Sequence, residues 1–299
     1  MDDLMDLIVD AAMQKLVDAI RESDLAAAPE ASGWEVFDGL GITEMLVPTP
    51  DGPAALGQLA WCLVLEELGG SCRDHSLIRS VRTFLDVYPH GPQPKRAAEA
   101  FGQWVGAHRA GLSPQTVLIE HSPAAGPRVW RTPSSVPALG ELPDVVLDPS
   151  AVEAVADRQL LAVAAYALGI ARRCLRAAQE RADGRTIAGR RLLEYQGTSH
   201  RLAQCAVDLA VARAGLRRTA TGEDDGKPAA HRAPAAAAAS VTAALDCAHT
   251  AVQIFGAAGT SNPEIIRLFR AAYALPALTG APAELWRSAG IRRMQNGSR

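Results

Sequence analysis

Gln253-Ile-Phe-Gly-Ala-Ala-Gly259 closes an alanine-rich run and opens onto Asn262-Pro-Glu264. Asn262 suits a helix N-cap, and Pro263 suits the first helical position, where no amide hydrogen is needed. The glycines let backbone pass close to another molecule with no β-carbon in the way. The stretch therefore reads as helix, tight turn, helix. Free amides at such a turn suit a phosphate or the polar edge of a cofactor. Spacing alone favours a plain helix–helix connection.

Working outward, Ala235 to Phe255 is a long helix whose small residues permit close approach by neighbours. Ile265 to Tyr273 and Ala283 to Met294 follow as further helices. Upstream, Leu192 to Arg218 and Leu160 to Arg181 carry apolar residues at helical spacing. Thr221 to Pro234 reads as a polar loop. Four long helices joined this way make a bundle. From Ala110 to Ser150 the chain is rich in Pro and Gly. It holds three short β-like runs, Thr116 to Ile119, Arg128 to Trp130 and Asp144 to Leu147, which suggest a small, edge-like sheet. Before that, Met1 to Ser23, Trp34 to Leu40, Ala54 to Leu68, Leu77 to Tyr88 and Pro94 to Val105 read as helices. Gly69-Gly70 would stop the third of these.

At 299 residues the chain can bury a substantial core. A net charge of -3 with no long basic run argues against nucleic acid. The five cysteines are scattered without zinc-ligand spacing, which fits buried free thiols in a reducing compartment. Asp2, Asp3 and Asp6 carry the wrong charge for a secretory signal. Charges interrupt the apolar runs before a membrane span is reached. The expectation is a cytoplasmic protein with no membrane partner.

No residue set stands out for catalysis. His200 and His249 fall in helices, and a surface or satisfied core position suits both. Asp224-Asp225 reads as a solvated pair in a loop. Arg190-Arg191 and Arg217-Arg218 could hold phosphate, but exposed arginines at helix ends also complement the helix dipole. Trp61, Trp104 and Trp286 read as core, and no metal set is visible.

Other stretches align with the glycine turn. Arg185-Thr-Ile-Ala-Gly-Arg-Arg-Leu-Leu-Glu-Tyr-Gln196 sets an Arg and a Gln at a family spacing. Leu275-Pro-Ala-Leu-Thr-Gly280 precedes the last helix, and Arg270-Ala271 stands where that family has Arg-Asp. Gly39-Leu-Gly-Ile-Thr-Glu-Met-Leu-Val-Pro48 and Glu66-Glu-Leu-Gly69 precede the β segment. In this order they resemble the acyl-CoA dehydrogenase flavoproteins over most of the chain. The resemblance implies a mainly α fold in three parts. These are a helical N-terminal domain over 1–109, a reduced β middle segment over 110–150, and a C-terminal four-helix bundle over 151–299.

The resemblance also implies roles. In that family FAD lies between two subunits. Arg185 would pair with its phosphates, Gln196 and Gln253 would offer amide hydrogen bonds, and Gly256 and Gly259 would let the cofactor come close. The partner would be another acyl-CoA dehydrogenase-type subunit, in a homo- or hetero-oligomer, with acyl-CoA as a possible ligand. The family's catalytic Glu precedes the Gly of the last loop, where this chain has Thr279. Its alternative place in the first bundle helix is Gln159. Neither side chain is a carboxylate base. Ala188, Ala257 and Ala281 stand where the family has an aromatic, a Gly and a Thr. The middle segment is too short for the part that lines the flavin ring.

Two readings follow. The chain is a non-catalytic subunit that completes a partner's FAD site, or a flavin-free relative acting as a structural or binding protein. A weaker third reading gives the base role to another carboxylate such as Glu284.

Overall fold

A computed structural model describes residues 57–71, 117–122, 126–131 and 149–297. The elements are α1 (Gln58–Ser71), β1 (Val117–Ser122), β2 (Gly126–Arg131), α2 (Pro149–Gly184), β3 (Thr186–Ile187) and β4 (Arg190–Arg191). They continue with a 3-10 turn (Leu192–Glu194), α3 (Gln196–Asp224), α4 (Arg232–Phe255), a second 3-10 turn (Gly256–Thr260), α5 (Pro263–Ala274), α6 (Pro276–Thr279) and α7 (Pro282–Gly297). The expected mainly α fold is what forms. Strands β1 and β2 pair antiparallel, Leu118 opposite Trp130, within the expected β segment. The run Asp144 to Leu147 and the helices expected before Gly57 and after Ser71 lie outside the described residues.

Helix α4 sits at the centre. Ala233, Ala237, Ala238, Val241, Ala244, Ala248 and Ala251 are all buried on it. A helix apolar on most of its sides must be covered on most of them. Helices α2, α3, α5 and α7 supply that cover. Alanine is what allows so many neighbours to approach one helix at close-packed density. Helix α3 runs antiparallel to α4: Thr250 meets Arg201 and Cys205, while Gly222 lies against Arg232. Two helical stretches, 153–184 and 232–260, are long and apolar enough to cross a bilayer. In the first, 89% of the most apolar window is buried inside the protein. Four cysteines, Cys62, Cys174, Cys205 and Cys247, are free and buried.

Helix α1 crosses α2 in direct backbone contact. A β-carbon on Gly69 would stand 2.0 Å from the Tyr166 carbonyl oxygen, and one on Gly169 2.0 Å from that of Glu66. The glycines therefore do not stop α1, which continues to Ser71. They are the contact itself. On either side the buried carboxylates of α1 are neutralised. Arg172 grips Glu67 with two bonds of 2.7 and 2.6 Å, and Arg213 reaches Glu66 at 2.6 Å.

The polar loop expected at 221–234 is shorter than its composition suggests, because α3 runs on to Asp224. Asp224 and Asp225 are both exposed, as expected of a solvated pair, but the Asp224 carboxylate does more than meet solvent. It accepts the Gln58 amide at 2.5 Å and the Leu59 amide at 3.0 Å, and so caps α1 from a distant part of the chain. Arg190 and Arg191 do not end a helix either. They form the second strand of a tight hairpin turned by Ala188 (φ 47°) and Gly189 (φ 78°). Trp61 is fully buried as expected, but Trp286 on α7 is 51% exposed.

At the start of α2 Asp157 is buried beside Arg292 of α7, with Nη1 to Oδ1 at 2.6 Å. Burial pushes this carboxyl up from 3.8 to about 6, against the lowering pull of Arg292 and with help from Glu153 and Glu223. A carboxyl raised on folding contributes most below its unfolded value and loses that contribution as pH rises through the folded one. At neutral pH Arg292 therefore offsets a buried charge. Arg292→Met is expected to cost about 3 kcal/mol at pH 7.5. Near pH 5, where Asp157 takes up its proton, the loss shrinks, as paired denaturant titrations would show. Gly169→Ala is expected to cost about 3 kcal/mol or more through the backbone clash. Helix propensity alone predicts the opposite sign, so the same titration separates the two effects.

Candidate functional site

The C-terminal end of α2 and that of α4 lie together. Gly256 follows α4 with φ 61° and ψ -137°, a conformation natural only to glycine, and its amide bonds back to the Gln253 and Val252 carbonyls. The next turn is 3-10. Asn262 then accepts the Ile265 amide at 3.0 Å, and Pro263 occupies the first position of α5. The helix–turn–helix reading of 253–264 holds in detail.

Arg185, just past α2, reaches this turn. Its Nη1 lies 3.6 Å from where a β-carbon of Gly256 would stand. Two distant residues of the sequence pattern are thus brought together. Gln253, in the last turn of α4, and Gly256 are exposed, as is Gln196 at the start of α3. Gly259 differs. It is buried, and a β-carbon there would stand 3.0 Å from the Val252 carbonyl oxygen and 3.1 Å from Phe255. Glycine at 259 is required by the chain's own packing.

Arg181, one turn before Arg185, is not singled out by the sequence pattern. Its guanidinium carbon lies over the Phe255 ring, 5.6 Å from the centroid. The available signal was the four-residue spacing from Arg185, across the end of α2 at Gly184. Arg190 and Arg191 turn away from phosphate duty. Arg191 bonds Asp183 and Glu194, each at 2.8 Å, and Arg190 lies over Tyr195 and near Glu194.

The positions for a base hold none. Thr279 is fully buried and its hydroxyl bonds the Leu275 and Gly280 carbonyls at 3.2 and 3.1 Å. Gln159 is buried, and Glu284 is exposed in the first turn of α7. A separate cleft of about 800 Å³ is lined by Glu153, Asp157, Arg158, Glu223, Lys227 and Arg292 among others. Its cations are already matched: Arg292 by Asp157, Arg158 by Glu223 and Lys227 by Asp225. Among the described residues no group of three or more His, Cys, Asp or Glu could hold a metal.

Residues 152–293 match the family described as acyl-CoA dehydrogenase, C-terminal domain. This chain carries that domain and has the acyl-CoA dehydrogenase fold. It is similar to a chain of the Tcur3481–Tcur3483 steroid ACAD variant, with 20% identity and a TM-score of 0.76, covering 97% of this chain and 99% of that one. It is also similar to a chain of the ChsE4–ChsE5 complex from Mycobacterium tuberculosis, with 18% identity, a TM-score of 0.75, and 95% and 97% covered. Butyryl-CoA dehydrogenase from Megasphaera elsdenii aligns at 17% identity and a TM-score of 0.72, with 95% and 98% covered.

Replacing Gly256 by Ala is expected to lower stability by about 2 kcal/mol, since alanine is strained at that φ and ψ. Asn262→Ala loses a cap and should cost about 1 kcal/mol. Thermal and urea unfolding of the two variants checks both numbers.

Proposed function

We propose that this chain is a non-catalytic subunit of a heteromeric acyl-CoA oxidising complex, and that its Arg185–Gly256 surface completes an FAD site held mainly by an acyl-CoA dehydrogenase-type partner. One observation carries the reading. Arg185 stands without an acidic partner beside a glycine turn that ends a helix, while Thr279 and Gln159 leave both family positions for the base without a carboxylate. A permanently charged, planar donor beside an exposed turn fits phosphate oxygens. Two of the similar structures, Tcur3481–Tcur3483 and ChsE4–ChsE5, join two differently named chains, which supports pairing with a related but unlike subunit. The buried free thiols suit a reducing, cytoplasmic setting.

When bound, FAD would supply the hydride-accepting chemistry. This chain would contribute charge and hydrogen bonds to its phosphates, with Gln253 in the last turn of α4 and Gln196 at the start of α3 both exposed to add amide contacts. The base and the acyl-CoA pocket would belong to the partner.

A second reading has its own support. Ala188 and Ala257, at positions where the family has an aromatic and a Gly, are exposed methyl groups with nothing to grip a ring. On that reading the chain is a flavin-free structural or binding protein.

Flavin absorption distinguishes them. The purified chain alone is expected to be colourless. Co-expressed with an acyl-CoA dehydrogenase-type chain that keeps its catalytic Glu, it is expected to co-purify as a yellow complex. Arg185→Gln should leave the complex assembled but loosen FAD by about tenfold, the worth of one charged hydrogen-bonding group. A lone chain that is yellow, or a complex whose FAD ignores Arg185, sinks the subunit reading. No association and no colour leaves the flavin-free one.

A further inference from the structure

Helix α2 carries five arginines, and their charges are not treated alike. Arg158 is paired with Glu223, Arg172 with Glu67, Arg173 with Glu264 and Arg176 with Glu180. Arg181 has neither an ion pair nor a hydrogen bond among the described residues, and Arg185, four residues on, has none either. The acids closest in sequence are already engaged, Glu180 by Arg176 and Asp183 by Arg191.

The two unpaired guanidiniums converge on consecutive residues. Arg181 lies over the ring of Phe255 and Arg185 against Gly256. Because Phe255 and Gly256 are adjacent in the chain, two like charges are held near one another. The Arg181 Nε is also shut inside the protein with no acceptor. Cation–π attraction to Phe255 and the negative end of α4 offset part of this cost. They do not supply the planar oxygen acceptors that a guanidinium fork is shaped for. A dianionic group with oxygens on two centres would.

We propose that Arg181 is a second phosphate-binding residue of this surface, and that Arg181 and Arg185 together form a clamp for a diphosphate rather than for a single phosphate. The inference rests on the reading that this end of the bundle meets a dinucleotide cofactor, and it adds a residue to that reading. Arg185, beside the glycine turn, takes one phosphate. Arg181, pinned by Phe255, takes the other, its fixed stem limiting the entropy lost on binding.

Titration calorimetry of the purified chain at low ionic strength, with inorganic pyrophosphate and with orthophosphate as probes, tests this directly. Pyrophosphate is expected to bind at least tenfold more tightly than orthophosphate. Arg181→Gln and Arg185→Gln should each remove most of that preference, and Arg181→Lys, which keeps the charge without the fork, should restore only part of it. Substituting the exposed Arg217 and Arg218 of α3 by Gln should change nothing. Melting temperatures within a few degrees of the parent confirm that the variants fold, and Arg181→Lys serves if the glutamine variant does not. If Arg185→Gln weakens pyrophosphate while both Arg181 variants bind it like the parent, Arg181 is not part of the clamp and the subunit reading is untouched. Equal affinity for the two anions likewise overturns the clamp. A complex that never carries flavin, with the pyrophosphate preference intact, overturns the cofactor reading and leaves the clamp standing.

Discussion

Helix α4 can be surrounded by four other helices because the side chains it buries are mostly small, eight of the fourteen being alanine. Its most extensive contact is with α2. Two long helices packed closely over much of their length have little freedom to slide, because each side chain sits in a gap left by its neighbours. That register decides where α4 ends relative to α2. It brings Phe255 and Gly256 to Arg181 and Arg185, and so creates the only place in the described residues where two neighbouring arginines meet a glycine turn without carboxylates.

The buried carboxylates are matched by arginines. Helix α1 enters the bundle with two buried glutamates, and each meets an arginine from a different helix. Asp157 is buried with Arg292, and the 800 Å³ cleft around them contains cations that are spoken for. Buried ion pairs of this kind add little net stability compared with apolar packing, but breaking one is costly. They act as register marks: α1 docks only where Arg172, Arg213 and the Asp224 cap all find it. Against that background the Arg181 Nε, buried with no acceptor among the described residues, is an exception.

The chemistry that such a surface can perform is limited. It can attract and orient phosphate, and it can leave an exposed amide such as Gln253 to fix an edge. It has no carboxylate at Thr279 or Gln159 to take a proton, and the Thr279 hydroxyl is committed to backbone carbonyls. The division between a kept phosphate surface and a missing base is a division of labour that suits a subunit completing another's site.

Much of this was legible in the sequence. The turn at 253–264, the Asn262 cap, the long helices and the β1–β2 pair follow from local rules of capping, periodicity and turn chemistry, which act over a few residues. The family pattern named Arg185 and Gly256, and the fold brings the two together. Errors came where the deciding partner is far along the chain. Gly69 reads locally as a stop but is a contact with Tyr166, Trp286 reads as core but faces solvent, and exposed Asp224 has a capping role at Gln58 that its own neighbours do not reveal. The sequence by itself determined the helices, their order and their small-residue faces, because these depend on spacing. Only the tertiary structure decided which arginines are matched and which are left free, because pairing depends on the carboxylates that packing delivers from elsewhere in the chain.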